Sequence, residues 1–208
     1  MVKKALAEYG KVDILVNNVG SAFVGPISHE KFIEETKKMI AVDFYGTVYC
    51  TKEVLPIMQR QGSGHIVNMS SVVGRKAFPH FGGYSIAMHA ISAFSDALRQ
   101  ELHGSGIYVS VMHPALTQTS MLSHVSPADM PPSFRRMTPI TAESVAEAVL
   151  KAVDKKHYRV IVPSQPKRLL LADAISPRLG DRIVRMFSNP TSASLIGIYR
   201  GNVYEHNG

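Results

Sequence analysis

The chain has 208 residues, 45% of them hydrophobic, one cysteine and a net charge of +7, with 13 Lys/Arg against 12 Asp/Glu in residues 1–150 and 10 against 4 in residues 151–208. That size and apolar content exclude wholesale disorder and hold one domain, or one domain and a tail; the even charge of the first 150 residues excludes a uniformly basic nucleic-acid binder. No apolar run reaches the ~18 residues of a membrane span, the lone Cys50 excludes a disulfide framework or a cysteine-based zinc cluster, and no long apolar stretch follows Met1-Val2-Lys3-Lys4 as a signal peptide requires, so a cytoplasmic setting is expected.

In chain order, Asp13-Ile14-Leu15-Val16-Asn17-Asn18 reads as the first strand, being short and β-branched like a buried parallel strand. Residues 28–60 carry Phe32, Ile33, Thr36, Met39, Ile40, Val48, Val54 and Leu55 at helical spacing. His65-Ile66-Val67-Asn68-Met69-Ser70 is the second strand. Residues 84–104 form the next helix, with Ile86, Ala90, Ala93, Phe94, Ala97 and Leu98 along it and Arg99, Gln100 and Glu101 exposed. Ile107-Tyr108-Val109-Ser110-Val111-Met112 is the third strand. Residues 115–140, with Pro127, Pro131, Pro132 and Pro139 among Met121, Leu122, Met130 and Met137, read as a long loop over the strand ends with room for a short helix. Thr141 caps a helix over 141–153, and Arg159-Val160-Ile161-Val162-Pro163 is the fourth strand. This alternation predicts an α/β fold: a parallel sheet with helices on both faces.

Residues 164–208 form a basic tail. Over 164–188, Lys167, Arg168, Arg178, Arg182 and Arg185 alternate with Leu169, Leu170, Leu171, Ile175, Leu179, Ile183, Val184, Met186 and Phe187 at roughly helical spacing, broken at Pro177 and Gly180. Such a segment lies on an anionic membrane, or closes a cleft and shows its arginines to water. With the Met-rich loop it points to a lipophilic substrate.

Chemistry concentrates at Ser71 and Tyr84. Ser71 ends the second strand and Tyr84 opens the following helix, so both can face the crevice beyond the carboxyl ends of the strands. A phenol there can pass a proton to or from an alcohol or carbonyl oxygen that a hydroxyl holds in place. By spacing alone, a turn serine and a half-buried tyrosine remain an open reading.

Four segments together resemble the short-chain dehydrogenase/reductase superfamily. Asp13-Ile14-Leu15-Val16-Asn17-Asn18-Val19-Gly20 is similar to its Asn-Asn-Ala-Gly segment, Ser71 and Tyr84 to its catalytic pair, and Pro114-Ala115-Leu116-Thr117-Gln118-Thr119 to its Pro-Gly-x-x-x-Thr segment. The resemblance implies a Rossmann-type, doubly wound parallel sheet that binds NAD or NADP and moves a hydride between the nicotinamide and an alcohol or ketone. It implies Tyr84 as acid/base and Ser71 as the residue that orients the substrate oxygen. Asn17 and Gly20 would lie along the nucleotide, with Tyr84 beside it, and Thr117 and Thr119 would hold the carboxamide. It also implies a homo-oligomer built through helices 28–60 and 84–104.

The chain departs from that family in three places. Met88 stands where the family has a lysine, one turn after Tyr84; an unassisted tyrosine with pKa ~10 is only about one part in a thousand ionised at pH 7. His89 lies ~100° further round the helix and is a poor substitute. Asp43, in Val42-Asp43-Phe44-Tyr45-Gly46, stands where asparagine is usual. Val19 and Ala115 replace an alanine and a glycine. No glycine-rich phosphate turn precedes the first strand, which leaves about 60–80 residues of βαβ structure unaccounted for at ~30 per unit. Residues 1–163 are therefore expected to be a partial domain lacking the first nucleotide-binding strands, with residues 13–18 at an exposed sheet edge. The expectation for the chain alone is an inactive or impaired oxidoreductase. Its rival is a non-catalytic binding or regulatory module, and the short N-terminus is explained by truncation, by a naturally shortened relative or by a nucleotide half supplied in trans.

Overall fold

The structure is a computed structural model, and it describes residues 1–123, 125, 129–131, 134 and 137–188. The strands β1 (Ile14–Asn17), β2 (Gly64–Met69), β3 (Ile107–Pro114) and β4 (Arg159–Val162) form one parallel sheet in the order β1-β2-β3-β4. Leu15 pairs with Ile66, Ile66 with Val109 and Met112 with Val160. Side chains alternate faces along a strand, so successive apolar residues build two separate layers. Leu15, Ile66, Ile107 and Val109 pack on one face against Val54, Met58, Leu98 and Leu102. Val67 and Met112 pack on the other against Ala148, Val149, Ala152 and Val153. Helices therefore cover both faces, as the alternation predicts.

The first layer comes from α3 (Gly46–Gln61) and α4 (Gly82–Glu101), with α1 (Val2–Tyr9) against it through Val2. Helices α1 and α3 stop at Gly10 and Gly62, whose φ values of 72° and 67° favour glycine. The single helix expected over 28–60 is two, α2 (Phe32–Met39) and α3, joined by a π-helical turn, Ile40–Tyr45. The second layer is α6 (Ala142–Asp154), whose N-cap Thr141 accepts the Ser144 N–H at 3.2 Å as expected from its residue type.

The long connection between β3 and α6 carries a short α5 (Ser120–Ser123). Its two ends are tied together: Gln118 N–H donates to the Ile140 carbonyl and Ile140 N–H to that of Leu116, both at 2.9 Å. Val125, Met130 and Phe134 are buried against Val24 and Phe81, so this connection is part of the core and roofs the strand ends. Pro127 and Pro132 lie outside the described residues.

After β4 the chain forms a hairpin of α7 (Pro166–Ile175) and α8 (Pro177–Ser188). The break falls at Ser176; Gly180, read as a second break, sits inside α8, buried where a Cβ would collide with Asp173. Strand β1 is at the sheet edge, with Ile14 49% and Val16 45% exposed on the face that α6 packs over at β2, β3 and β4. Among the described residues no helix is long and apolar enough to cross a membrane.

Candidate active site

A parallel sheet brings all strand carboxyl ends to one side, and there a cavity of about 670 Å³ opens. It is lined by Ser71, Tyr84, Asp43, Met88, Gly20, Thr117 and Thr119, among walls that are mostly apolar. Residues distant in sequence thus meet in one place. Asn17 does not line it; its neighbour Asn18 does.

Asn17 is buried. Its Nδ2 donates to Asn68 Oδ1 at 2.8 Å and to Thr51 Oγ1 at 3.2 Å, and Asn68 Nδ2 donates to Ser95 Oγ at 2.9 Å. Buried polar groups tie β1 and β2 to α3 and α4 through these contacts. Asn68→Ala removes one hydrogen bond from each of Asn17, which keeps Thr51, and Ser95, which keeps the Ile91 carbonyl, and should cost about 1–2 kcal/mol, read as a lower urea midpoint at unchanged slope.

Ser71 caps the 3₁₀ turn Val72–Gly74. Its Oγ accepts the Val73 N–H at 3.4 Å and donates to the Pro114 carbonyl at 3.3 Å, so β2 and β3 both position it. Its carbonyl accepts Nδ1–H of His113 at 3.0 Å. His113 is fully buried, and burial pushes its pKa down to about 4, which keeps the ring neutral. Its Nε2 has no partner among the described residues. Sequence reading missed His113, because a histidine before Pro114 carries no spacing signal.

Tyr84 stands in the first turn of α4. Its phenol is pushed up to about 12, first by burial and then by the charge of Asp43, against a smaller opposing pull from the Ser71 hydroxyl. At pH 7 that leaves about one part in 10⁵ ionised, a hundredfold less than an ordinary tyrosine. Met88, one turn on, is 3% exposed and belongs to a cluster with Met39, Val72, Val73, Ala87 and Ile91, against which Tyr84 packs. Its carbonyl accepts Ser70 Oγ at 3.0 Å and Ser92 Oγ at 2.9 Å. His89 is exposed and bonds the Ser85 carbonyl at 2.8 Å, on a different side of the helix. Among the described residues no Lys, Arg or His lines the cavity.

Asp43 lies in the π-helical turn and is fully buried. Oδ1 accepts the Ser21 N–H at 2.9 Å and its hydroxyl at 3.2 Å, and the Asp43 carbonyl accepts Thr47 Oγ1 at 2.7 Å. Oδ2 is buried without a partner among the described residues. Desolvation raises the carboxyl pKa to about 6 in spite of the Ser21 bonds. Gly20 packs beside it: a Cβ there would lie 3.6 Å from the carboxylate carbon. Thr117 donates to the Ala115 carbonyl at 2.9 Å.

Comparison with known proteins agrees with this arrangement. A family model described as short chain dehydrogenase matches residues 1–129. Among curated proteins, the chain is 33% identical over 195 residues to the ketoacyl reductase HetN of a Nostoc species, covering 90% of this chain and 66% of that protein. It is 32% identical over 182 residues to the dehydrogenase/reductase SDR family member 7B of Rattus norvegicus, covering 85% of this chain and 55% of the relative. It therefore spans between half and two thirds of the length of these relatives. Among solved structures, a short-chain dehydrogenase from Streptomyces avermitilis superposes with a TM-score of 0.74 at 28% identity, over 85% of this chain and 70% of that one. The fold is also that of a short chain dehydrogenase from Burkholderia cenocepacia in complex with NADP, with a TM-score of 0.71 at 21% identity over 85% of this chain and 70% of that one. A parallel sheet with Ser71 and Tyr84 at one cleft, together with these matches, places the chain in the short chain dehydrogenase family of oxidoreductases, which binds NAD(P).

Proposed function

We propose that this chain carries the substrate side of an NAD(P)-dependent oxidoreductase acting on a lipophilic alcohol or ketone. The observation that carries this reading is the convergence of Ser71 and Tyr84 on one apolar-walled cavity at the strand ends. The nicotinamide end of the cofactor fits that cavity: Thr117 and Thr119 offer hydroxyls, and Asp43 Oδ2 is an acceptor without a partner among the described residues. A nicotinamide held there would supply the hydride for carbonyl reduction, or accept it in alcohol oxidation.

The residues of the chain handle the oxygen and its proton. Ser71 holds the carbonyl oxygen toward Tyr84. Tyr84, kept neutral by burial and by Asp43, donates its proton to that oxygen as the carbon is reduced, and the phenolate is reprotonated from solvent. Among the described residues no cation lines the cavity to stabilise that phenolate, so Met88 and Asp43 together slow the step, and the chain by itself is an impaired catalyst. The apolar walls, Phe81, Val125, Met130 and Phe134 among them, accept a hydrophobic body and offer no counter-ion to an anionic one. The outer faces of α2–α3 and α4 expose Tyr45, Tyr49 and Ile86, which supports a homo-oligomer through helices 28–60 and 84–104.

The test is chemical-shift mapping of the isotope-labelled chain with NADP⁺ and a hydrophobic ketone. With this non-reacting pair, shifts should cluster at Ser71, Leu116 and Thr117; in a separate assay with NADPH and the same ketone, hydride transfer, slow in the parent chain, should fall at least about 100-fold in Tyr84→Phe. Shifts confined to other surfaces, or turnover equal in Tyr84→Phe, would overturn the assignment.

A further inference from the structure

The α7–α8 hairpin has a feature that the active-site reading does not use. Its two carboxylates, Asp173 and Asp181, both pair with Lys76 Nζ at 2.7 Å. Its five cations, Lys167, Arg168, Arg178, Arg182 and Arg185, are all exposed and make no ion pair among the described residues, although Arg185 adds to the field on Asp181.

On each helix large apolar side chains are exposed beside these cations. On α7, Leu171 and Ile175 are one turn apart and 64% and 75% exposed. Lys167 and Arg168 precede Leu171 by four and three positions and so share its face. On α8, Arg178, Arg182 and Arg185 share a face by the same spacing, flanked by Leu179 and Met186, while Gly180 and Val184 fill the buried side. The hairpin has thus already packed one side, and its second apolar set faces water.

The hairpin is fixed beside the cleft. It begins four residues after β4 ends, at the carboxyl end of the sheet, and Lys76 lies just past the 3₁₀ turn that Ser71 caps. A surface that joins unpaired cations to exposed aliphatic side chains matches a layer with anionic headgroups over hydrocarbon. Nucleic acid supplies the anions and no apolar layer. We infer that the α7–α8 hairpin docks on an anionic lipid surface, with Lys167, Arg168, Arg178, Arg182 and Arg185 at the headgroups and Leu171 and Ile175 below them. Docking in this way holds the cavity rim at the membrane, where a lipophilic substrate is concentrated.

The experiment is co-sedimentation of the full chain with vesicles of phosphatidylcholine alone and of equimolar phosphatidylcholine and phosphatidylserine. The chain should sediment with the mixed vesicles, remain in solution with the neutral ones, and be released by high salt. Arg178→Glu with Arg182→Glu should lower partitioning at least about 25-fold, at about fivefold per basic residue lost. Leu171→Ser with Ile175→Ser should lower it about tenfold at unchanged charge. Both variants alter exposed positions and should keep the parent Tm. No sedimentation with anionic vesicles, or partitioning unchanged in the arginine variant, overturns the proposal. Retention on heparin as strong as on vesicles, with the leucine–isoleucine variant unaffected, overturns it too, because the face is then a general polyanion site.

Discussion

Met88→Lys should bring the Tyr84 phenol from about 12 down to about 10 or below, and so raise its ionised fraction at a fixed pH about 100-fold. The lysine ammonium would enter a cavity that already holds a carboxylate and, among the described residues, no cation, and it would offset both causes of the raised value. The measurement is the phenolate absorbance change on titration, taken as the difference between Met88→Lys and Met88→Lys/Tyr84→Phe to remove the other seven of the eight tyrosines. An ammonium at a position only 3% exposed also needs a partner. Asp43 lines the same cavity and can serve, so Met88→Lys should be tolerated in the parent chain and should cost more stability in an Asp43→Asn background. An unshifted Tyr84 titration would show that the position 88 side chain does not set the charge of the site.

Asp43→Asn should stabilise the chain by about 2–3 kcal/mol at pH 7. The carboxyl ionises near its ordinary value of 3.8 when unfolded and at about 6 when folded, and each unit of difference is worth about 1.4 kcal/mol. The sign follows from proton uptake. Between 3.8 and 6 the folded state binds more protons at Asp43, so its contribution to stability falls as pH rises through that window. His113 acts in the opposite direction. Its pKa drops from 6.5 to about 4 on folding, the unfolded state binds more protons, and stability is lost as pH falls through that range. In the parent chain the two largely cancel between about pH 4 and 6. With Asp43→Asn the His113 dependence stands alone, so the urea midpoint should decline steadily from pH 6.5 to 4. A midpoint for Asp43→Asn equal to or below the parent's at pH 7 would mean that the buried carboxylate is not a cost.

The strands were legible because their code is local. Each needs only a short β-branched run, and all four fall within two residues of where pattern places them. The helix over 28–60 was only partly legible. Met39, Asp43, Thr47 and Thr51 are all buried and recur at steps of four. Such steps drift by about 40° each on an α-helix, so Thr51 would have turned away from the core. The wider π-helical turn at Ile40–Tyr45 takes up that drift, and a stripe at steps of four does not by itself reveal the wider turn. The hairpin boundary at Ser176 was close to the expected one, but Gly180 reads as a break until Asp173 is known to pack on it.

Residue type and order by themselves determined the α/β class and the family, and they placed an uncharged Met88 one turn after Tyr84. Only the tertiary structure decided what those residues experience. It buried Asp43 with one oxygen that has no partner among the described residues, raised Tyr84 to about 12, set a neutral His113 against the Ser71 carbonyl and put Asn18, not Asn17, in the cavity lining. Desolvation and electrostatic coupling depend on which groups exclude water from one another, and here those groups lie tens of residues apart in the chain.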